Sequence, residues 1–284
     1  MPTLRRAVLD GQRIMALGCG DPIGARVAAQ AGFPAVYMSG YFAAACIGYP
    51  DVGLATMSEM VEQARRICQA TPLPVIADID TGYGNSINVI RTVREFEAAG
   101  VQAVHMEDQD LPKKCGDLPG LALISVAEMC AKVQAAAEAR RSDDFLIIAR
   151  TDAKDVRGLA EAIARGRAYR KAGADMLMIH GLESAQEFRI ARAELDGPLV
   201  TTVGARMNMP ASDVFELGFQ VLMYSVTLLR AGIRSMLDTA QRLKNDGIVD
   251  HTPAIPMTEL HDFLGLRQVA DWERRYAFVE TPAR

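Results

Sequence analysis

Two pairs of polar residues in this chain have the types and spacing of metal ligands. Asp78 and Asp80 close one apolar run, and His105 and Glu107 close the next. Because residues i and i+2 of a strand point the same way, each pair is expected to project together from a strand end. Three carboxylates buried close to one another require a counter-charge. Oxygen ligands with room for water favour Mg²⁺ or Mn²⁺, so we predict a divalent-metal site; the alternative is that these carboxylates cap helices.

An arginine and a small-residue turn could bind an anion beside that site. Arg150 closes a third apolar run, where a guanidinium requires an anionic partner. That partner is either a carboxylate or phosphate of a ligand, or a structural ion pair with Asp152 or the acidic residues. The sequence Ser39-Gly40-Tyr41 follows another apolar run, and small residues there let backbone N–H groups approach an anion.

A cysteine follows the second acidic pair in a loop rich in lysine and glycine. Lys113 and Lys114 directly precede Cys115, and Gly116 follows it. Neighbouring cations should favour the thiolate form of the cysteine, and the glycine permits an unusual turn in a mobile loop. A thiol on such a loop can donate a proton to a carbanion-like intermediate. The alternative is a surface loop in which the cysteine is incidental.

These residues stand at the ends of regularly spaced strands. Four stretches read alike, beginning at Ala31, Ala99, Ala172 and Leu217: a glycine that ends a helix, two spacer residues, a short apolar strand and then polar residues. Strand starts recur about every 30 residues, which is the size of one βα unit. The pattern predicts an α/β fold, a closed (β/α)₈ barrel of the TIM type, whose active site lies at the C-terminal ends of the strands.

The repeat predicts eight strands and five clear helices. The strands are expected at 14–18, 35–39, 74–80, 103–107, 145–151, 176–180, 198–203 and 221–225. The helices are expected at 58–70, 86–99, 126–140, 159–172 and 184–195. Beyond them, a helix over 228–245, a proline-containing segment at 251–257 and an amphipathic stretch over 259–278 form a C-terminal extension. That extension holds the only tryptophan, Trp272, and its apolar side chains suggest subunit packing.

Length and composition favour one domain and exclude several classes of partner. A barrel needs about 250 residues, so 1–284 is interpreted as a single barrel domain with an extension at about 228–284. The net charge of −4 with no basic stripe argues against nucleic acid, and no apolar run is long enough for a membrane helix. No signal peptide is recognised. The five cysteines include no CxxC pair, which indicates reduced thiols and a cytoplasmic protein.

Taken together, the motifs resemble the isocitrate lyase/phosphoenolpyruvate mutase superfamily. The resemblance is strongest from about residue 11 to residue 170. It is carried by YMSG (37–40), GYPDVG (48–53), DIDTGYGN (78–85), HMEDQ (105–109), KKCG (113–116) and IIARTDA (147–153).

The resemblance implies a division of the site into metal ligands, substrate contacts and a catalytic acid. Mg²⁺ or Mn²⁺ is expected on Asp51, Asp78, Asp80 and Glu107, partly through waters. Substrate contacts are expected from Ser39, Gly40, Tyr41, His105 and Arg150, with Tyr41 and Arg150 also taking part in catalysis. Cys115 is expected to be the catalytic acid on a gating loop. Members of the family commonly form homotetramers in which a C-terminal helix is exchanged between subunits.

The chain departs from the family pattern on the side of the barrel that contacts the substrate. Lyases of the family usually read K(K/R)CGH, and here Asp117 replaces the histidine, which should raise the pKa of Cys115. The sixth strand usually ends in Glu-Ala, and here it ends in His180-Gly181. His180 is either a hydrogen-bonded core histidine or a residue that binds substrate or transfers protons. Residues 201–206 stand where an asparagine and, after two residues, a glutamate are usual, and Thr202 among them is expected to contact the substrate. Arg206 either binds a second carboxylate or is a solvated loop residue.

The predicted function is therefore a metal-dependent carbon–carbon lyase acting on a small 2-hydroxy-dicarboxylate. The expected substrate is a substituted malate or a methylisocitrate-like acid, and the expected product is a 2-oxo acid. Retention of KKCG favours this lyase branch over the carbon–phosphorus branches. Alternatives are an oxaloacetate decarboxylase or 2-oxo-acid hydrolase, a phosphonopyruvate-type mutase or hydrolase, and a non-catalytic ligand-binding protein.

Overall fold

The structure, a computed structural model, describes residues 3–204, 207, 209–248 and 254–278. Its centre is a closed barrel of parallel strands in which each strand pairs with its neighbours in chain order and β1 pairs with β8. The strands are β1 (Ile14–Cys19), β2 (Ala35–Met38), β3 (Val75–Asp78), β4 (Ala103–Glu107), β5 (Leu146–Thr151), β6 (Met176–Ile179), β7 (Leu199–Thr202) and β8 (Val221–Tyr224). The predicted (β/α)₈ barrel is confirmed.

Helices flank the barrel and follow it. They are α1 (Leu4–Leu9), α2 (Pro22–Gln30), α3 (Gly40–Cys46), α4 (Met57–Ala70), α5 (Ser86–Ala98), α6 (Val126–Ala139), α7 (Ala153–Arg157), α8 (Leu159–Lys171), α9 (Ala185–Glu194), α10 (Ala211–Glu216), α11 (Thr227–Asp246), α12 (Met257–Phe263) and α13 (Leu266–Arg275). Capping boxes begin α4, α5 and α9, where the side chains of Thr56, Asn85 and Ser184 accept from backbone N–H groups of the first turn. No helix in the described part of the chain is long and apolar enough to cross a membrane.

The four similar stretches seen in the sequence share one backbone feature. Gly32, Gly100, Gly173 and Gly218, which follow α2, α5, α8 and α10, have φ values between +79° and +113°. Residues with a Cβ rarely adopt this left-handed region, so glycine is required where each helix turns back towards the next strand. The repeat in the sequence is therefore a repeat of helix endings.

Alternation along the strands decides which side chains reach the site. The barrel interior holds an apolar cluster that includes Ile76 of β3, Ala103 of β4, Ile148 of β5 and Met178 of β6. Residues two positions further along each strand point the same way. The interior positions at the C-terminal end of the barrel are therefore occupied by four of the predicted site residues: Asp78, His105, Arg150 and His180.

Contacts divide the chain into two compact units, Met1–Leu229 and Arg230–Arg284. In the second unit, the predicted amphipathic stretch over 259–278 is two helices, α12 and α13, because Gly265 has a φ of +89° and interrupts the helix. The predicted helix over 228–245 is α11. The predicted proline-containing segment begins outside the described residues, which resume at residue 254.

Candidate active site

Asp78 is the most heavily hydrogen-bonded carboxylate of the acidic cluster. One oxygen, Oδ2, accepts from the hydroxyl of Tyr37 and from the backbone N–H of Gly40, each at 3.2 Å. The other, Oδ1, accepts from the N–H of Asp80 at 3.0 Å and lies 3.2 Å from Nδ1 of His105. Burial alone would raise the pKa of Asp78, but His105, with Lys113 and Arg150, holds it below its ordinary value. Asp78 is thus a buried anion at the centre of the cluster.

Asp80 reaches the same place by a route that the sequence analysis did not predict. Strand β3 ends at Asp78, and Asp80 has a φ of +49°. The prediction that Asp80 projects beside Asp78 as part of the same strand is therefore wrong in its reason. Asp80 lies in a left-handed turn that follows the strand. Asp tolerates this conformation better than most residues. Burial raises the pKa of Asp80 to about 6, with Lys113 opposing the rise and Asp78 supporting it.

Glu107 and Arg150 form a buried ion pair next to Asp78. Nη1 of Arg150 lies 3.1 Å from Oε2 of Glu107, and Nη2 donates to Oδ1 of Asp152 at 2.7 Å. The structural ion pairs considered as an alternative for Arg150 are therefore both present. Burial raises the pKa of Glu107 well above its ordinary value, although Arg150 and Lys113 oppose the rise. Oε1 of Glu107 is buried without a hydrogen-bond partner among the residues that the structure describes.

Lys113 joins the acidic residues rather than the cysteine that follows it. Its ammonium lies 2.6 Å from Oδ1 of Asp80 and forms a second ion pair with Asp51, and its side chain is only 4 % exposed. Burial alone would lower the pKa of Lys113, but Asp80, Glu107, Asp78 and Asp51 raise it. Asp51, which no strand argument could place, is brought to the cluster through this lysine.

Cys115 lies half-buried in a loop that closes over the arginine. Its backbone N–H donates to the carbonyl of Asp51 at 3.0 Å. A Cβ added to Gly116 would stand 2.5 Å from both Nη2 of Arg150 and Nε2 of His180. Burial raises the pKa of the Cys115 thiol, and the charges of Asp51 and Asp117 add to the rise. The predicted thiolate is therefore wrong, since Lys113 is bound to the acidic residues, whereas the predicted effect of Asp117 agrees with this direction.

His180 is half-buried, with both ring nitrogens buried and the ring next to the loop. Nε2 lies 3.6 Å from Oδ1 of Asp117, and neither ring nitrogen has a hydrogen-bond partner within the described ranges. A hydrogen-bonded core histidine is therefore not what the structure contains. The imidazole lies beside Gly116 and Arg150, where it can meet a ligand.

Sequence reasoning missed Gln109, which ties the loop to the arginine. Its Nε2 donates to the carbonyl of Lys114 at 2.9 Å and to Oδ2 of Asp152 at 3.1 Å, and its Oε1 accepts from the N–H of Lys114 at 2.9 Å. Asp108 is also buried, and it accepts from the backbone N–H of Asp152 at 2.9 Å. Position alone could have drawn attention to both, because they directly follow the end of β4.

Three further predicted residues lie at the edge of this arrangement. Ser39 is buried and caps α3, its Oγ accepting from the N–H of Phe42 at 3.4 Å. The side chain of Tyr41, in the first turn of α3, is 41 % exposed. Thr202 ends β7 and is half-buried. Arg206 lies outside the described residues.

The cluster fits a hard dication by its chemistry, although it is not arranged around one. Within the ranges that the structure covers, no three His, Cys, Asp or Glu side chains are grouped so as to hold a metal ion. Lys113 contacts two of the four predicted ligands. Buried carboxylate oxygens that lack a hydrogen-bond donor, such as Oε1 of Glu107, are nevertheless suited to a cation. The raised pKa of Asp80 indicates the same need for positive charge.

All five cysteines lie in the described part of the chain and are free thiols. Cys19 is buried and Cys46 is exposed.

Comparison with known proteins places the chain among enzymes that act on small organic acids. A family model described as phosphoenolpyruvate phosphomutase matches residues 6–244. The chain is 38 % identical to 2,3-dimethylmalate lyase of Eubacterium barkeri, over 96 % of this chain and 97 % of that one. It is also 38 % identical to 2-methylisocitrate lyase of Shewanella oneidensis, over 86 % and 85 % of the two chains.

Solved structures agree over nearly the whole length. Oxaloacetate acetylhydrolase in complex with 3,3-difluorooxalacetate matches with a TM-score of 0.92 and 32 % identity, covering 97 % of each chain. Phosphonopyruvate hydrolase in complex with oxalate and Mg²⁺ matches with a TM-score of 0.89 and 32 % identity, covering 97 % of this chain and 98 % of that one. The chain therefore belongs to the phosphoenolpyruvate phosphomutase family, within the isocitrate lyase/phosphoenolpyruvate mutase superfamily, as its motifs predicted.

Proposed function

We propose that this protein is a Mg²⁺-dependent carbon–carbon lyase that cleaves a substituted malate into a 2-oxo acid and a second carboxylic acid. The observation that carries the proposal is the position of Cys115 on a loop closed over a buried arginine and an acidic cluster. The named lyases among the relatives support the same reaction class. The retention of the loop cysteine favours cleavage of a carbon–carbon bond over carbon–phosphorus chemistry.

The acidic cluster and the arginine bind the half of the substrate that becomes the 2-oxo acid. Asp51, Asp78, Asp80 and Glu107 would hold Mg²⁺ or Mn²⁺, which supplies Lewis-acid stabilisation of the oxygens of that acid. Arg150 is held by Glu107 and Asp152, so its guanidinium is fixed when a substrate carboxylate arrives. Ser39, Gly40 and Tyr41 at the start of α3 and His105 beneath them complete this half of the site.

The loop supplies the proton that ends the reaction. The 2-hydroxyl group gives its proton to solvent water and becomes the oxo group while the C2–C3 bond breaks, and the thiolate later left on Cys115 regains a proton from water. The bonding electrons stay on C3, and the thiol of Cys115 donates a proton to that carbon. The raised pKa keeps the thiol protonated at neutral pH, as an acid requires. His180 and Thr202 are assigned to the half of the substrate that carries C3.

The test is a coupled assay for 2-oxo acid release across a panel of 2-hydroxy-dicarboxylates with Mg²⁺. Wild-type protein is expected to turn over at least one substituted malate. Cys115→Ser should lose roughly 10²–10⁴-fold in kcat, the usual contribution of a positioned acid, and should bind Mn²⁺ as wild type does. Cys68→Ser, a half-buried cysteine on α4, is the matched control. Full activity in the Cys115→Ser protein would remove the thiol from the mechanism.

Hydrolysis or decarboxylation of oxaloacetate is the second candidate, and His180 favours it. The half-buried imidazole has no hydrogen-bond partner in the described part of the chain, so a ring nitrogen is open to a water molecule. An oxaloacetate-cleaving enzyme need not use Cys115. Oxaloacetate turnover that survives Cys115→Ser and fails in His180→Gln would therefore favour this candidate over the lyase. A ³¹P NMR assay with phosphonopyruvate separates the carbon–phosphorus reactions from both.

We further propose that the protein works as a homotetramer in the cytoplasm with its C-terminal helices used in subunit packing. Large apolar side chains are exposed along α11, including Ile233, Met236 and Leu237, and on α13, including Val269 and Trp272. Exposed apolar side chains at such density are typical of an interface.

A further inference from the structure

A buried network of polar and charged side chains is centred on Asp108. Its Oδ2 accepts from the hydroxyl groups of Thr151 at 2.7 Å and Tyr169 at 2.6 Å, and from Nη1 of Arg165 at 3.0 Å. Nη1 of Arg165 also donates to the hydroxyl of Tyr169 at 3.1 Å, so these two residues of α8 hold each other as well as the carboxylate. The side chains of Asp108 and Arg165 are 0 % and 1 % exposed, and Tyr169 is fully buried. Charged hydrogen bonds in such a buried network hold the carboxylate in one orientation.

Asp108 and Thr151 face away from the barrel interior, although each directly follows a residue of the candidate active site. Glu107 and Arg150 occupy interior positions, and successive residues of an extended chain point to opposite sides. Asp108 and Thr151 therefore face the surrounding helices, where α8 packs against β5 and β6. Their hydrogen bond joins the ends of β4 and β5 at the level where Glu107 and Arg150 form their ion pair.

Asp152 connects this network to the guanidinium of Arg150. The backbone N–H of Asp152 donates to Oδ1 of Asp108 at 2.9 Å. Its own Oδ1 accepts from Nε and Nη2 of Arg150 at 3.1 Å and 2.7 Å. Together with the ion pair between Nη1 and Glu107, these two bonds fix the plane of the guanidinium. A carboxylate that is bound by two donors of a guanidinium has to lie close to that plane, so the orientation of Asp152 affects how well it binds.

We propose that Arg165 and Tyr169 are positioning residues for Arg150. Acting through Asp108 and Asp152, they set the plane in which its guanidinium binds a carboxylate of the substrate. This inference rests on the proposed function, which assigns that carboxylate to Arg150. Loss of the Tyr169 hydroxyl should therefore weaken the binding of a dicarboxylate without removing a group assigned to contact it.

The first test measures oxalate binding with Mg²⁺ present, by isothermal titration calorimetry, in wild-type protein, Tyr169→Phe and Ile163→Val. Oxalate is a planar dianion that resembles the carboxylate and oxo group of a 2-oxo acid. Tyr169→Phe removes only the hydroxyl and is expected to raise the Kd of oxalate about three- to tenfold, within the range by which residues of a contiguous network alter coupling. Ile163→Val changes a buried apolar side chain of the same helix, so it controls for loosening of α8 and should leave the Kd unchanged.

The outcomes of this test separate the inference from the function on which it rests. Equal oxalate binding by wild-type protein and Tyr169→Phe, or an equal loss in Ile163→Val, overturns the inference alone. Wild-type protein that binds no oxalate would overturn the substrate site of the proposed function, and the inference with it.

The second test asks whether Tyr169 acts through Arg150. Tyr169→Phe is repeated in an Arg150→Lys background, which keeps the charge and removes the planar guanidinium. With no plane left to set, Tyr169→Phe is expected to change the Kd of oxalate less than twofold, because two residues that act as a unit have non-additive effects. The same fold-change in both backgrounds would indicate a merely structural role and overturn the proposal.

A third measurement needs no variant and holds even if Arg150→Lys does not fold or bind. Because coupling between sites is reciprocal, oxalate bound to Arg150 should in turn stabilise the residues that position it. Hydrogen exchange of wild-type protein is followed by mass spectrometry with and without oxalate and Mg²⁺. Oxalate is expected to slow exchange in α8 severalfold more than in α2, which is the internal reference. Equal protection of the two helices overturns the link between α8 and the guanidinium.

Discussion

Gly40 contacts the acidic cluster so closely that no other residue fits there. A Cβ at this position would stand 2.8 Å from Oδ2 of Asp78 and 3.2 Å from Oδ1 of Asp80. Gly40→Ala is expected to displace both carboxylates, weaken Mn²⁺ binding more than tenfold and cost about 1–3 kcal/mol of stability through overpacking. Mn²⁺ titration and urea unfolding measure the two effects. Gly232→Ala is the control, because an added Cβ there meets nothing within 4 Å.

The carboxyl group of Asp80 makes metal binding depend on pH. Its pKa is raised to about 6 in the folded protein, so it holds a proton at pH 5 that the unfolded chain has already released. This proton stabilises the fold at low pH, and the contribution is lost as the pH rises through about 6. Mg²⁺ must displace the proton below that pH. The increase in Tm caused by Mg²⁺ is therefore expected to grow between pH 5 and pH 7.

Scanning calorimetry with and without Mg²⁺ at each pH checks this expectation. Asp80→Asn should weaken the trend, whereas Asp143→Asn, which changes an exposed carboxylate, should keep it in full. A Mg²⁺ effect on Tm that is as large at pH 5 as at pH 7 would contradict the role given to Asp80.

The thiol of Cys115 predicts a pH dependence of kcat that is separate from the pH dependence of metal binding. Burial raises its pKa, and the negative charges of Asp51 and Asp117 raise it further. A proton donor fails once it has lost its proton, so kcat should fall as the pH rises through this pKa. Asp117→Asn removes one of the two anions and should move that fall to lower pH. The movement should be below about one pH unit, because Asp117 is exposed and screened by salt.

The pH profile of kcat and the pH dependence of Cys115 alkylation report this change independently. Asp110→Asn, which alters an exposed carboxylate in the same segment, is the matched control. An alkaline limb that stays in place, or moves upwards, in Asp117→Asn would count against Cys115 as the acid.

Single residues were predictable from the sequence where strand alternation places them. His105 and Glu107 lie within β4 and project together as expected. Lys113 was assigned to Cys115 because the two are close in sequence, but a buried ammonium seeks carboxylates, and Asp51 and Asp80 become its neighbours only through folding. Ion pairs between residues that are far apart in the sequence cannot be predicted from the spacing of neighbouring residues.

Among the larger elements, the loop after β4 depends on Gln109 for its position. Gln109→Met keeps the length of the side chain and removes three hydrogen bonds, two to the backbone of Lys114 and one to Asp152. Each net bond contributes about 0.5–1.5 kcal/mol. We expect a loss of roughly 1.5–4.5 kcal/mol in stability and a tenfold or larger fall in kcat, with a smaller change in KM.

Steady-state kinetics and urea unfolding measure these losses, and Gln134→Met is the control. Gln134 is an exposed residue of α6 whose amide donates to Glu138 on the same helix. If the two methionine variants behave alike, Gln109 does not position the loop.

The strands were predicted to within a few residues because each is a short apolar run, and all but β5 have a glycine or proline near their start. The prediction overran β3 by two residues, to Asp80, because a left-handed turn continues the row of buried residues that alternation would suggest. The short helices α1, α3, α7 and α10 were not predicted, because five to seven residues carry too little periodicity to recognise. The break at Gly265 within the predicted stretch over 259–278 was not predicted either, because the short helices on each side carry too little periodicity.

At the scale of the whole molecule, the sole tryptophan reports on assembly. Trp272 lies on α13 with 53 % of its surface exposed, and a tetramer built on the C-terminal helices should cover it. Its fluorescence is expected to shift to longer wavelength when Leu237→Glu on α11 breaks the assembly, with sedimentation velocity showing smaller particles. Leu9→Glu, at an exposed apolar site on α1, is the control. A monomeric wild-type protein would contradict the proposed tetramer.

The pairing of β8 with β1 has a consequence for synthesis on the ribosome. Ile14 is in register with Val221, so the ring stays open until more than two hundred residues have left the exit tunnel. Until then the first strand exposes an edge of unpaired backbone groups to any other nascent chain. Newly made protein is therefore expected to need chaperone protection for most of its translation, and a transcript truncated before codon 221 should yield aggregates instead of a smaller folded product.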